Sequence, residues 1–188
     1  MAKETTEGKK TRISFSDAAR LVDRDDHAPF LCGLGEQGDN ELRIVINGSK
    51  LGNVDGDAAA SHPSPSHDGN AALEGILRDC RPIEPGDGPW IELVFEDYII
   101  YQVRNESYCA PDPPESHTGK YLVVFEKSAL LDYLSVSTNA QQWDDGGFFP
   151  YRWRHYGVRT QNQVIDIVSR ADPRVYRYDP RPGRGPSN

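Results

Sequence analysis

Apolar side chains are concentrated in short alternating runs, set apart by stretches of Gly, Pro, Ser, Asn and Asp. A period of two marks a half-buried strand, and a spacing of three to four marks one face of a helix. Leu42–Asn47 is β-branched and apolar and predicts a strand closing in a turn at Asn47-Gly48. The densest run is Trp90–Asn105. Strands usually hold about 3–10 residues. This longer run therefore predicts either a hairpin turning at Glu96-Asp97 or one bent strand with a bulge. Lys120–Glu126 predicts another strand, and Trp153–Thr160 with Gln163–Ser169 predicts a hairpin around Gln161-Asn162.

Helical spacing is rarer. Ser16 offers an N-cap for a short helix ending near Asp25. Asn70 offers one for a helix to about Cys80, with Leu73, Ile76 and Leu77 on one face and Pro82 beyond its end. Ser128 opens a third, through Leu134. These elements predict an α+β fold, a single domain over residues 13–179. Its framework is a mainly antiparallel sheet of about four to six strands with a few short helices. Residues 1–12 read as a flexible N-terminus, 48–70 as a mobile loop and 180–188 as a disordered tail, since none has apolar side chains enough to offset ordering entropy.

Charge alters the functional picture more than the fold. The chain of 188 residues has a net charge of −8. Residues 1–149 carry 13 basic and 26 acidic side chains, and residues 150–188 carry 8 and 3. An acidic body repels phosphates, so nucleic acid and anionic membranes are poor partners and a basic protein surface a good one. Arg170, Arg174, Arg177, Arg181 and Arg184 interleave with Tyr176 and Tyr178, but folding back onto the acidic body explains them better than RNA does. Cys32, Cys80 and Cys109 form no C-x-x-C pair, and the N-terminus lacks the apolar stretch of a signal peptide. The expectation is a cytoplasmic protein with free thiols, no cofactor and no metal.

Three motif matches fail on context. Gly33, Gly35 and Gly38 fit G-x-G-x-x-G, but a strand follows where a dinucleotide site needs a helix, so they read as a glycine-rich turn. Asn53, Asp55 and Asp57 lack the glycine and glutamate spacing of a calcium loop. His62 and His67 lie in a segment with no scaffold to hold a metal.

One constellation has geometry behind it. With Gln161-Asn162 as a two-residue turn, Gly157 faces Asp166 and Val158 faces Ile165. Tyr156, Val158, Ile165 and Ile167 then point to the core, leaving His155, Gly157, Arg159 and Asp166 on the other face. Asp166 falls diagonal to both His155 and Arg159, beneath open space at Gly157, where a carboxylate could orient an imidazole for acid–base work. A looser set runs through Glu92, Tyr101, Arg104, Glu106 and Tyr108.

Two functions follow as expectations. The first is a small acidic protein-binding module of the immunity or antitoxin type, docking on a basic partner. Trp143, Phe148, Phe149, Trp153, Tyr101 and Glu106 are its candidate contacts, because aromatic side chains anchor interfaces. The second is a small enzyme or small-molecule binder that uses the polar hairpin face, with His155, Asp166 and Arg159 as candidate catalytic groups.

Overall fold

In the computed structural model, residues 10–52, 81–109 and 115–178 are described. The expected helix at 70–80, His62, His67, the calcium-like segment and the 180–188 tail lie outside them, as does most of the expected 48–70 loop. The described residues fold into two five-stranded antiparallel sheets rather than one. The first comprises β1 (Lys10–Ile13), β2 (Phe30–Gly38), β3 (Glu41–Leu51), β4 (Ile83–Glu96) and β12 (Arg174–Tyr178), in the order β1-β12-β4-β3-β2. The second comprises β5 (Tyr98–Asn105), β6 (Ser116–Thr118), β7 (Leu122–Lys127), β10 (Arg154–Arg159) and β11 (Gln163–Ser169), in the order β5-β11-β10-β7-β6. A two-strand ribbon, β8 (Gln141–Gln142) with β9 (Phe148–Phe149), follows helix α2 (Ala129–Ser137).

Neither expected arrangement of residues 90–105 is formed. β4 pairs with β3 and β12, whereas β5 pairs with β11, so the long apolar run passes from one sheet into the other. The break falls at Asp97, whose φ of 64° lies in the left-handed region that a short Asx side chain tolerates. Three neighbours fix this corner. Asp97 N–H donates to the Asn40 carbonyl (2.9 Å), the Arg170 guanidinium meets the Asp97 carboxylate (2.9 Å), and Ser169 Oγ donates to the Glu96 carbonyl (3.2 Å). Ser169 and Arg170 belong to the other crossing, from β11 back to β12, so the two crossings stand side by side.

The core lies between the sheets. From the first come Leu42 opposite Phe95, Ile44 opposite Leu93 and Ile46 opposite Ile91. From the second come Tyr156 opposite Ile167 and Val158 opposite Ile165, in the expected register. Helix α1 (Phe15–Val22) packs Ala18 and Val22 against this core, and Phe15 meets Tyr156 edge-on at 5.2 Å. Its N-cap is Ser14, two residues before the expected Ser16. Ser14 Oγ accepts from Asp17 N–H (3.0 Å) and donates to the Asp17 carboxylate (2.6 Å), a reciprocal cap that Ser16 has no acid to make three residues on.

Two turns expected from glycine are strand instead. Gly33, Gly35 and Gly38 lie in β2, which absorbs register shifts at Leu31/Gly33 and Glu36/Gly38. Asn47-Gly48 does not end β3. Asn47 is buried, its Nδ2 donates to the Gly86 carbonyl (2.7 Å), and the strand continues past a bulge to Leu51.

Ile167 is fully buried between the sheets, so Ile167→Ala should cost about 2–5 kcal/mol. Equilibrium urea unfolding at pH 7 reads this directly; a loss under about 1 kcal/mol would place the core elsewhere.

Candidate functional site

The β10–β11 face opposite the core is sealed rather than open. His155 and Asp166 are each 1% exposed. The open space expected above Gly157 is absent. Phe125 and Val123 fill it, and a Cβ there would lie 2.6 Å from Val123 Cγ2 and 2.9 Å from Phe125 Cε2. Glycine thus admits the Phe125 ring, which lies flat on the His155 imidazole at 4.1 Å.

Beneath that ring runs a chain of polar contacts. Ser128 caps α2, its Oγ accepting from Leu131 N–H (3.2 Å), and the same Oγ lies 2.8 Å from His155 Nδ1. With the serine proton given to Nδ1, the imidazole proton sits on Nε2, which faces Asp166 Oδ1 at 3.4 Å, off hydrogen-bond alignment. Asp166 Oδ2 accepts from Gln102 Nε2 (3.0 Å) and from Arg104 Nε (3.0 Å) and is ion-paired with the other Arg104 nitrogen at 2.8 Å. Burial pushes the Asp166 carboxyl up, but its contacts with His155 and Gln102 and the Arg104 charge outweigh that and hold it below the usual carboxylate range.

Arg159 is not part of this chain. Its guanidinium turns away to donate to His117 Nε2 (2.9 Å) and the Lys120 carbonyl (3.4 Å). The expected diagonal of Asp166 to Arg159 is therefore taken by Arg104 from β5, a strand too remote in sequence for local spacing to align. Gln102, His117, Phe125 and the Ser128–His155 contact were missed for the same reason.

The candidate aromatic contacts separate into two groups. Trp153 is buried with Leu130, Leu134, Ala140 and Val168, and Phe148 packs edge-on against it at 5.1 Å. Tyr101 is half-buried against the main core, edge-on to Tyr98. These three are scaffold contacts. Trp143 and Phe149 are exposed at 49% and 45%. Glu106 is exposed in a 3-10 turn and lines a cleft with Arg159.

The β8–β9 ribbon holds Trp143 in place. Trp143 N–H donates to the Gly147 carbonyl (2.9 Å), Gly146 N–H returns to the Trp143 carbonyl (2.9 Å), and Gly147 N–H donates to Asp145 (2.9 Å). The indole lies against Gly147, where a Cβ would sit 2.7 Å from Trp143 Cε3. Gly146 takes a φ of 84° to close the turn. Of the ten exposed large apolar side chains among the described residues, four fall on α2 (Tyr133, Val136) and the ribbon with its turn (Trp143, Phe149), and a fifth, Tyr151 just beyond, lies under the Arg170 guanidinium at 4.4 Å. Asp132, Asp144 and Asp145 accompany them and meet no cation among the described residues.

Comparison of the chain with protein-family models, curated proteins and solved structures gives no match. Among the described residues no helix is long and apolar enough to cross a membrane.

Asp166→Asn should destabilise the fold by about 1–3 kcal/mol at pH 7, because it leaves Arg104 without its carboxylate. The folded-state pKa of Asp166 lies below that of the unfolded chain. Its contribution is therefore complete above about pH 5 and is lost as the pH falls through the folded value. Urea unfolding at pH 7 and pH 3 should show a smaller acid-induced loss in Asp166→Asn than in the parent. Equal losses would mean the carboxylate is not held in its charged form by these contacts.

Proposed function

We propose that this protein is a protein-binding module that docks on a basic partner through α2 and the β8–β9 ribbon. The observation that carries the reading is Trp143, a half-exposed indole fixed in place by its own turn and flanked by Asp144 and Asp145, whose charges meet no cation among the described residues. A large aromatic side chain pre-set in its bound position loses little entropy on docking, which is why Trp dominates interface energetics. The carboxylates around it add long-range attraction to a basic surface and penalise acidic ones. The excess of acidic over basic residues in the first 149 supports the same choice of partner.

An enzymatic use of the hairpin face has less support. His155 and Asp166 lack solvent access, and Ser128 is occupied as a helix cap.

The test is affinity capture with the full chain, followed by binding measurements on the purified partner. The parent chain should retain a basic protein, and Trp143→Ala should weaken binding by about tenfold or more. Asp132→Lys with Asp144→Lys, which leaves the Asp145–Gly147 contact of the turn intact, should mainly slow association and reduce its salt dependence. A retained partner that is acidic, or one that binds Trp143→Ala as tightly as the parent, would defeat this reading.

A further inference from the structure

A second, separate feature lies at the end of the second sheet, where a cleft of about 830 Å³ opens between the β10–β11 turn and the segment before β2. Its size falls within the roughly 300–1,000 Å³ of small-molecule sites. We propose that this cleft binds a small molecule carrying both a carboxylate and a cationic group, with Arg159 as the anchor for the carboxylate.

Arg159 differs from three other half-buried arginines, Arg43, Arg104 and Arg174. Arg43 meets Glu92, Arg104 meets Asp166, and Arg174 meets Glu41 and Glu96. The partners of Arg159 are instead an imidazole and a backbone carbonyl, both neutral acceptors. Burial, and then the Arg159 charge, hold His117 below the ordinary histidine range, so near pH 7 the imidazole leaves the guanidinium charge unmatched. A half-buried guanidinium held by two neutral acceptors is oriented yet keeps donors for a planar carboxylate.

The remaining charges set the ligand class. Lys120 lines the cleft on the cationic side, with its ammonium over the Tyr121 ring and donating to the Asp25 carbonyl (3.0 Å). Asp26, Glu106 and Glu115 line it too. Glu115 and Arg159 act on the same imidazole with opposite sign, so negative and positive charge flank His117 together. Three carboxylates disfavour a polyanion such as phosphate, whereas a zwitterion places each of its charges against its opposite.

The cleft walls are tied together before any ligand arrives. Tyr121 donates its hydroxyl to the Asp26 carbonyl (2.8 Å), Gln161 Nε2 donates to the Ala28 carbonyl (2.7 Å), and Gln161 N–H donates to the Pro29 carbonyl (2.9 Å). A preformed site avoids the ordering cost of a loop that must close.

The experiment titrates the isotope-labelled full chain with glycylglycine, acetate and inorganic phosphate while following the Arg159 Nε–H resonance. Glycylglycine should shift it saturably, with acetate weaker by about tenfold and phosphate no better than acetate. By isothermal titration calorimetry the parent should bind glycylglycine and Arg159→Ala should not, and undiminished binding by Arg159→Ala would equally overturn the inference. Glu106→Gln with Glu115→Gln, both on the cleft wall, should bring glycylglycine down to the acetate level and leave acetate unchanged. The inference is overturned if none of the three probes moves the resonance, if phosphate binds tightest, or if the glutamine variant binds glycylglycine as the parent does. Trp143→Ala should bind glycylglycine normally, which separates this site from the docking surface.

Discussion

The passage of one long apolar run from sheet to sheet at Asp97 is the constraint on which the rest of this architecture depends. A strand that stayed in one sheet would bury a single apolar face. By breaking at Asp97, residues 83–96 present Ile91, Leu93 and Phe95 to the core from one side, and residues 98–105 place Tyr98 and Tyr101 against it from the other. The corner also decides what β5 can do next. Once it is fixed by Asn40, Ser169 and Arg170, β5 runs antiparallel along β11 and sets Gln102 directly opposite Asp166. The buried polar chain from Ser128 to Arg104 is thus a consequence of the crossing.

The sequence made the β10–β11 hairpin legible to the residue because its turn is two residues long and so sets the register of every pair behind it. Gly157 faces Asp166 and Val158 faces Ile165 as the spacing requires. The strand at Leu42, the strand at Lys120–Glu126 and the Ser128 helix were legible for similar local reasons, with ends shifted by a few residues. The partner of β5 was not legible. It lies some sixty residues away, and nothing in local pattern tells a sheet crossing from a hairpin that lacks glycine.

The polar face of the hairpin was misread for a different physical reason. Alternation separates two faces, but it does not say that the polar one meets water. Here α2 and the ribbon cover one end of that face, and Phe125 lies over the glycine in its middle, so a His–Asp pair that looked poised for solvent is enclosed. The aromatic residues divided on the same principle. Trp153 and Phe148 became the underside of the cover, and Trp143 remained outside because its turn folds the indole onto Gly147 rather than into the core. Arg159 is only half-buried, because it lines the cleft.

The strand order of the first sheet has a consequence for how the chain is made. All five strands of the second sheet come from residues 98–169, one unbroken stretch that can pair as it emerges from the ribosome. In the first sheet β12 sits between β1 and β4, so β1 touches the sheet only through β12. Among the described strands Lys10–Ile13 is synthesised first, yet its hydrogen-bonding partner, Val175–Tyr178, is synthesised last. During translation β4 therefore carries an open edge next to an aromatic-rich growing chain. Until β12 pairs with it, that edge offers unpaired backbone groups to any other extended segment.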